Sequence, residues 1–151
     1  AALVYERDTL RPQRSFSLSG EGWGLTNDGK RLIYSDGSAQ LHFISPRDGA
    51  RLHSITVTQE GQHVRALNEL EWINGRIWAN VWGTERIVII DPSSGEVTGS
   101  VDLQGLLPTP ERRRDTDVLN GIARNPADGG IWVTGKRWPW MYRIELRAIA
   151  N

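Results

Sequence analysis

The stretch Leu70-Glu71-Trp72-Ile73-Asn74-Gly75-Arg76-Ile77-Trp78-Ala79-Asn80-Val81-Trp82 decides the fold. Two runs rich in apolar, β-branched and aromatic residues flank an Asn-Gly pair. Such a pair supplies the positive-φ residues of a tight hairpin turn, so the segment predicts two antiparallel strands. Helical periodicity is absent from it.

The same order of parts recurs on both sides. Downstream, Arg86 to Ile90 ends at Asp91-Pro92, and Ser93-Ser94-Gly95 turns into Glu96-Val97-Thr98. Upstream, Arg31 to Ser35 runs into Asp36-Gly37. Gln40 to Ile44 follows, then the turn Asp48-Gly49, then Arg51 to Thr58, which alternates at roughly period two. A third pass follows Asn120-Gly121, another pair of the hairpin-turn kind, with Gly121-Ile122-Ala123, turns at Asp128-Gly129-Gly130, continues through Ile131 to Gly135 and closes with Trp140 to Ile144. The passes align on Leu32, Ile77 and Ile131, which lie 45 and 54 residues apart. The longer interval is assigned to a loop from Pro108 to Asp117, whose Arg112-Arg113-Arg114 run reads as solvated charge. A repeat of about 40–50 residues with four strands is the pattern of a β-propeller blade.

The expected class is therefore all-β, a β-propeller, with this chain covering about three blades. Residues 1–20 read as the last two strands of an earlier blade, around Leu3-Val4-Tyr5 and Ser15-Phe16-Ser17-Leu18. Residues 21–60 and 61–105 read as blades, and 118–147 as an incomplete last blade. The one helical expectation is a short turn over Leu103 to Leu107. Propellers close with at least four blades, so the count predicts that the ring is completed by blades outside these residues.

Composition narrows the function. The 18 Lys and Arg balance 18 Asp and Glu, so the chain lacks the basic excess of a nucleic-acid binder. The longest aliphatic run, Ile87-Val88-Ile89-Ile90, is too short to span a membrane. With no cysteine there is no disulfide, thiol nucleophile or thiolate metal site. His42, His53 and His63 lack metal-ligand spacing and read as surface or strand residues. Ser35-Asp36-Gly37-Ser38 reads as a turn, since no Gly-x-Ser-x-Gly elbow exists. No calcium loop of the Asp-x-Asp-x-Asp-Gly type is present. No metal or cofactor is expected.

In the alignment Gly37, Trp82 and Lys136 fall at equivalent positions, at the end of the second strand of each repeat. Inner-strand ends of a propeller lie near its central channel, where ligands bind. Trp23, flanked by Gly22 and Gly24, and Asn68, Glu69 and Asn120 are expected one to three residues before the first strand of their blades. Each has a plainer reading as well: core filling for tryptophan, turn or cap for asparagine, solvated charge for lysine.

The motifs together resemble the glutamine cyclotransferase family of the plant and bacterial type. They are Gly22-Trp23-Gly24-Leu25-Thr26, Ser35-Asp36-Gly37-Ser38, Leu67-Asn68-Glu69-Leu70-Glu71, Ala79-Asn80-Val81-Trp82, Val118-Leu119-Asn120-Gly121-Ile122-Ala123 and Val133-Thr134-Gly135-Lys136 with Trp138-Pro139. The likeness covers roughly residues 15 to 146. It implies a five-bladed propeller that converts an N-terminal glutamine of a peptide or protein into pyroglutamate and releases ammonia, an aminoacyltransferase in class. It implies that Trp23 and Trp82 wall the substrate pocket, that Asn68 hydrogen-bonds the substrate near the reacting amide, and that Lys136 stabilises charge or helps protonate the leaving group. Glu69 and Asn120 are added as substrate-binding candidates. The family's acid–base glutamate belongs to its N-terminal blades; Glu6, Glu21, Glu69 and Glu71 do not sit in that motif. The implied partners are a peptide beginning with Gln and the remaining blades, not nucleic acid or membrane. The implied location is periplasmic or secreted, with a bacterial source favoured. Two readings compete: a non-catalytic propeller that scaffolds protein or sugar partners, and a lactonase-like or quinone-dependent propeller enzyme, for which the histidines are poorly placed.

Overall fold

The computed structural model describes residues 1–148. Strands dominate them: β1 (Ala2–Tyr5), β2 (Pro12–Phe16), β3 (Gly24–Asn27), β4 (Leu32–Ser35), β5 (Gln40–Ile44), β6 (Arg51–Thr56), β7 (Thr58–Gln59), β8 (Gln62–His63), β9 (Leu67–Ile73), β10 (Arg76–Val81), β11 (Arg86–Ile90), β12 (Val97–Asp102), β13 (Leu119–Arg124), β14 (Ile131–Gly135) and β15 (Tyr142–Ile144). No helix among the described residues is long and apolar enough to cross a membrane.

Each main sheet is an antiparallel meander. β3-β4-β5-β6 and β9-β10-β11-β12 have four strands each, and β13-β14-β15 has three. β1 and β2 form a separate pair, with Leu3 opposite Ser15. At the centre of the decisive stretch, Asn74 and Gly75 adopt φ of 49° and 79°, the left-handed pair that a type I′ turn requires. They place Arg76 opposite Ile73 and Trp78 opposite Glu71.

The sheets stack face to face like propeller blades, and the first strands β3, β9 and β13 lie side by side. The sheet β9–β12 buries both faces. One core holds Ile33, Leu41, Phe43 and Val57 against Leu70, Ile77, Ala79, Val88 and Ile90. The other holds Ile73, Trp78 and Ile87 against Leu119, Ile122 and Val133. This explains why Ile87 to Ile90 is an unbroken apolar run. Alternate residues serve two cores, whereas a sheet with one wet face would alternate with polar residues. Each fully buried aliphatic side chain contributes about 1.5–3 kcal/mol relative to exposure.

Four local expectations need correction. Leu103 to Leu107 is a turn closed by Leu106 N–H onto the Leu103 carbonyl, not a helical turn. The helical geometry falls instead at Thr109–Glu111, a 3₁₀ turn with proline at its start. Arg51 to Thr58 is not one strand; it breaks at Val57, and Thr58–Gln59 pairs with Gln62–His63. Asn120-Gly121, one of the Asn-Gly or Asp-Gly pairs, makes no hairpin turn. It lies within β13, where the register slips between Leu119 and Ile122. Finally, Asn68, Glu69 and Asn120 lie inside β9 and β13 rather than ahead of them. Their side chains are therefore fixed by strand alternation, not by turn chemistry.

Candidate active site

Loops follow the ends of β4, β10 and β14, and backbone bonds tie the last two to the segments that lead into β9 and β13. Trp82 N–H donates to the Ala66 carbonyl at 2.8 Å, one residue ahead of β9. Lys136 N–H donates to the Val118 carbonyl at 2.9 Å, one residue ahead of β13. Trp82 and Lys136 therefore occupy the same place in successive sheets, each just past the strand that pairs with the inner strand. Both side chains are exposed.

Trp23 immediately precedes β3 and is held by its own N–H on the Ser35 carbonyl at 2.9 Å. Its indole Nε1–H donates to Glu21 Oε2 at 2.9 Å. The ring meets Trp82 edge to face, with centroids 6.2 Å apart and planes at 70°. The two indoles are 38% and 47% exposed, too open for core residues of that size. Beneath Trp23 lies Gly37, at φ 80°. A Cβ on Gly37 would come within 2.6 Å of the indole, so no larger residue fits under the ring as it stands.

Asn68 is buried in β9. Its carbonyl accepts the Ser35 hydroxyl at 2.6 Å. The Gly24 backbone presses on the same carbonyl so closely that a Cβ there would lie 2.0 Å from the oxygen. The neighbouring Glu69 points the other way, towards β13. Its Oε2 accepts Ile122 N–H at 2.8 Å, while its backbone N–H donates to Asn120 Oδ1 at 3.3 Å. Burial raises the Glu69 carboxyl to about 7 against an ordinary 4.5; the Ile122 N–H opposes that rise and the nearby Glu71 carboxylate adds to it. Further out, Glu71 accepts Arg124 N–H, and Asn80 accepts Gly121 N–H. Side-chain oxygens thus stitch β9 and β10 to β13 across the seam between two sheets.

The structure brings Trp23 and Trp82 into contact, and links Glu69 with Asn120. Asn68 shares β9 with Glu69 but faces the opposite sheet. Lys136 reaches the same end of the molecule through its register with Trp82, and is exposed there. A cleft of about 320 Å³ lies beside these loops, lined by Gly83, Thr84, Glu85, Arg112, Asp117 and Leu119. An apolar groove of about 260 Å³ runs between the β1–β2 pair and β3–β5, touching Trp23 but none of the other candidates. The described residues contain no group of three or more His, Asp or Glu side chains placed to hold a metal. The Arg112 run is solvent-exposed, as the sequence indicates, with Arg112 paired to Glu85.

Sequence reasoning gave no functional role to two further residues. Asn80 is fully buried, and lies inside a motif quoted for its tryptophan. His42 is buried within β5 and bonded on both ring nitrogens. Its only signal was its place in a strand between apolar neighbours, Leu41 and Phe43.

Comparison with known proteins places the chain in a family. The glutamine cyclotransferase family matches residues 1–146. A glutaminyl-peptide cyclotransferase of Arabidopsis thaliana is 42% identical over 131 residues, 84% of this chain and 40% of the plant protein. The crystal structure of Myxococcus xanthus glutaminyl cyclase superposes with a TM-score of 0.85 at 37% identity, covering 93% of this chain and 61% of that one. The chain thus spans about two-fifths and three-fifths of the lengths of these two relatives. With a match over nearly its whole length, the chain belongs to the glutamine cyclotransferase family.

Proposed function

We propose that this chain forms part of a glutaminyl-peptide cyclotransferase, which cyclises the N-terminal glutamine of peptides and proteins to pyroglutamate and releases ammonia. The observation that carries this reading is the Trp23–Trp82 pair, two half-exposed indoles set edge to face at the loop end of the inner strands of a family member.

The reaction is intramolecular. The α-amine nitrogen attacks the side-chain amide carbon, forming the ring C–N bond. The C–NH₂ bond then breaks and ammonia leaves, with one proton moved from the amine to the departing nitrogen. Because both groups belong to one residue, the effective concentration is already high once the side chain is folded back. Flat, rigid indoles suit that task, since they restrict a small flexible substrate without needing to reorganise. A drier pocket also favours the neutral, nucleophilic amine, because desolvation lowers an amine pKa. The negative oxygen of the tetrahedral intermediate needs a donor, and the Lys136 ammonium and the Asn68 amide have the right chemistry. One such donor is worth about 3–4 kcal/mol of barrier. Glu69, with its carboxyl committed to the Ile122 N–H, supports the seam beside Asn68 and Asn120.

The test is incubation of the full-length protein with a peptide beginning with Gln, read as the mass loss of one ammonia. No loss, with the folded protein in excess, overturns the proposal. We further propose export to the periplasm or medium, on the strength of the family likeness. Fractionation that finds the protein only in the cytoplasm overturns that part.

A further inference from the structure

We propose that Asp36 and His42 are positioning residues that set the gap between Trp23 and Trp82. The inference rests on the reading of those indoles as substrate walls, and it adds a device that holds them.

The device begins at a buried histidine. His42 Nε2 lies 2.9 Å from Asp36 Oδ2, and Nδ1 lies 2.8 Å from Ser54 Oγ. An ionised carboxylate only accepts, so Nε2 carries a proton towards Asp36, while Nδ1 meets the Ser54 hydroxyl and, at 3.3 Å, Arg51 Nη2. Ser54 in turn accepts from Arg51 Nη2 at 2.7 Å. The Tyr34 ring covers the imidazole, with centroids 4.7 Å apart. Both ring nitrogens are thereby satisfied and the imidazole has one orientation.

From His42 the constraint passes to the turn between β4 and β5. Asp36 Oδ1 accepts the Ser38 N–H at 2.9 Å and the Ser38 hydroxyl at 2.5 Å, closing the turn around Gly37. Burial alone would raise the Asp36 carboxyl, but the bonds from Ser38 and His42 outweigh it and hold the group below the usual carboxylate range.

Gly37 then connects to both walls, one by contact and one through Ala66. Its Cα side is the floor under the Trp23 indole. Its carbonyl accepts Ala66 N–H at 2.9 Å, and the Ala66 carbonyl accepts Trp82 N–H at 2.8 Å. Ala66 itself is held at φ 60°, a strained value for a residue with a Cβ, so surrounding bonds must fix it. One turn therefore references the Trp23 ring directly and the Trp82 backbone through a single residue. Ser54 is not a nucleophile in this string. It sits on β6, the outermost strand of its sheet, with its hydroxyl engaged by Arg51 and His42.

The experiment compares His42→Phe, His42→Gln and Asp36→Ala with the parent in the full-length protein. The first readout is the exciton signal of coupled indoles in circular dichroism, using the part that Trp82→Phe abolishes. The second is cyclisation kinetics on a Gln-initiated peptide. His42→Phe and Asp36→Ala should each at least halve the pair's signal and raise KM about tenfold with a smaller change in kcat. His42→Gln retains a donor towards Asp36 and should keep KM within about threefold of the parent. If His42→Phe does not fold, Asp36→Ala in the half-buried turn decides. A folded variant with full exciton signal and parental KM overturns the inference. If the parent does not cyclise but the variants lose the exciton signal, the proposed function fails and the positioning role stands. If the parent cyclises and the variants keep signal and KM, the reverse holds.

Discussion

Trp23 and Trp82 come from different sheets, 59 residues apart in the chain, yet their indoles meet edge to face at 6.2 Å. Such a pair is favourable by about 0.5–1.5 kcal/mol beyond the area it covers. It also leaves each ring more than a third exposed, which suits a wall rather than a core. Trp82→Ala is accordingly expected to raise KM for a Gln-initiated peptide about tenfold while shifting the thermal midpoint by little, since the ring is half exposed. Steady-state kinetics and a melting curve measured together check this. An unchanged KM would make Trp82 packing alone.

Lys136 stands at the register position of Trp82 in the next sheet, and its side chain is exposed. Removing it should cost almost no stability. If its ammonium meets developing negative charge, Lys136→Ala lowers kcat by about 10²–10³. Kinetics on the folded variant decide; a parental kcat/KM removes Lys136 from the chemistry.

Gly37 carries the Trp23 ring on its backbone at a positive φ. Gly37→Ala must both pay the left-handed penalty of about 1–2 kcal/mol and push the indole aside. The expected result is a lower midpoint in urea and a red-shifted, more exposed tryptophan emission. A variant with parental stability and emission would show that the turn yields without moving Trp23.

The sheets were legible because turn chemistry and apolar spacing act locally. Asn74-Gly75 fixed its hairpin without help from the rest of the chain, and the runs around Leu32, Ile77 and Ile131 each became a second strand. The failures share a cause. Asn120-Gly121 carries the same turn signal, but Glu69 and Asn80 pull its segment into a strand through bonds to residues 41 to 53 positions away. The break at Val57 depends on its N–H reaching the Ala39 carbonyl and on Gly95 holding Thr58. His42 gave no sign that Asp36 and Ser54 would meet it. Sequence spacing reports strand faces well and contacts between sheets poorly, and the candidate site is made of the latter.

Asn80 is one of those contacts. Its Oδ1 accepts Gly121 N–H at 2.9 Å, and its side-chain amide nitrogen is buried without a partner. Asn80→Ala strands the Gly121 N–H in the seam, at an expected cost of about 1–3 kcal/mol. Chemical denaturation reads this directly. A neutral result would mean that water reaches Gly121 once the side chain is gone.

Glu69 gives the clearest pH signature. Its folded-state pKa of about 7 exceeds the ordinary 4.5 because burial penalises the carboxylate. The folded state therefore holds this proton more tightly than the unfolded chain. Its contribution to stability is full below about pH 4.5 and is lost as pH rises through about 7. The whole swing is at most about 3–4 kcal/mol at 1.36 kcal/mol per pKa unit. Asp36 and Asp28, held low by their hydrogen bonds, act in the opposite sense and only in acid. A difference measurement isolates Glu69: Glu69→Gln keeps an acceptor for the Ile122 N–H but does not titrate. The stability of the variant minus that of the parent should climb between pH 5 and pH 8. A flat difference across that range would mean that Glu69 is ionised in the folded protein throughout, and that the seam beside Asn68 tolerates a full negative charge.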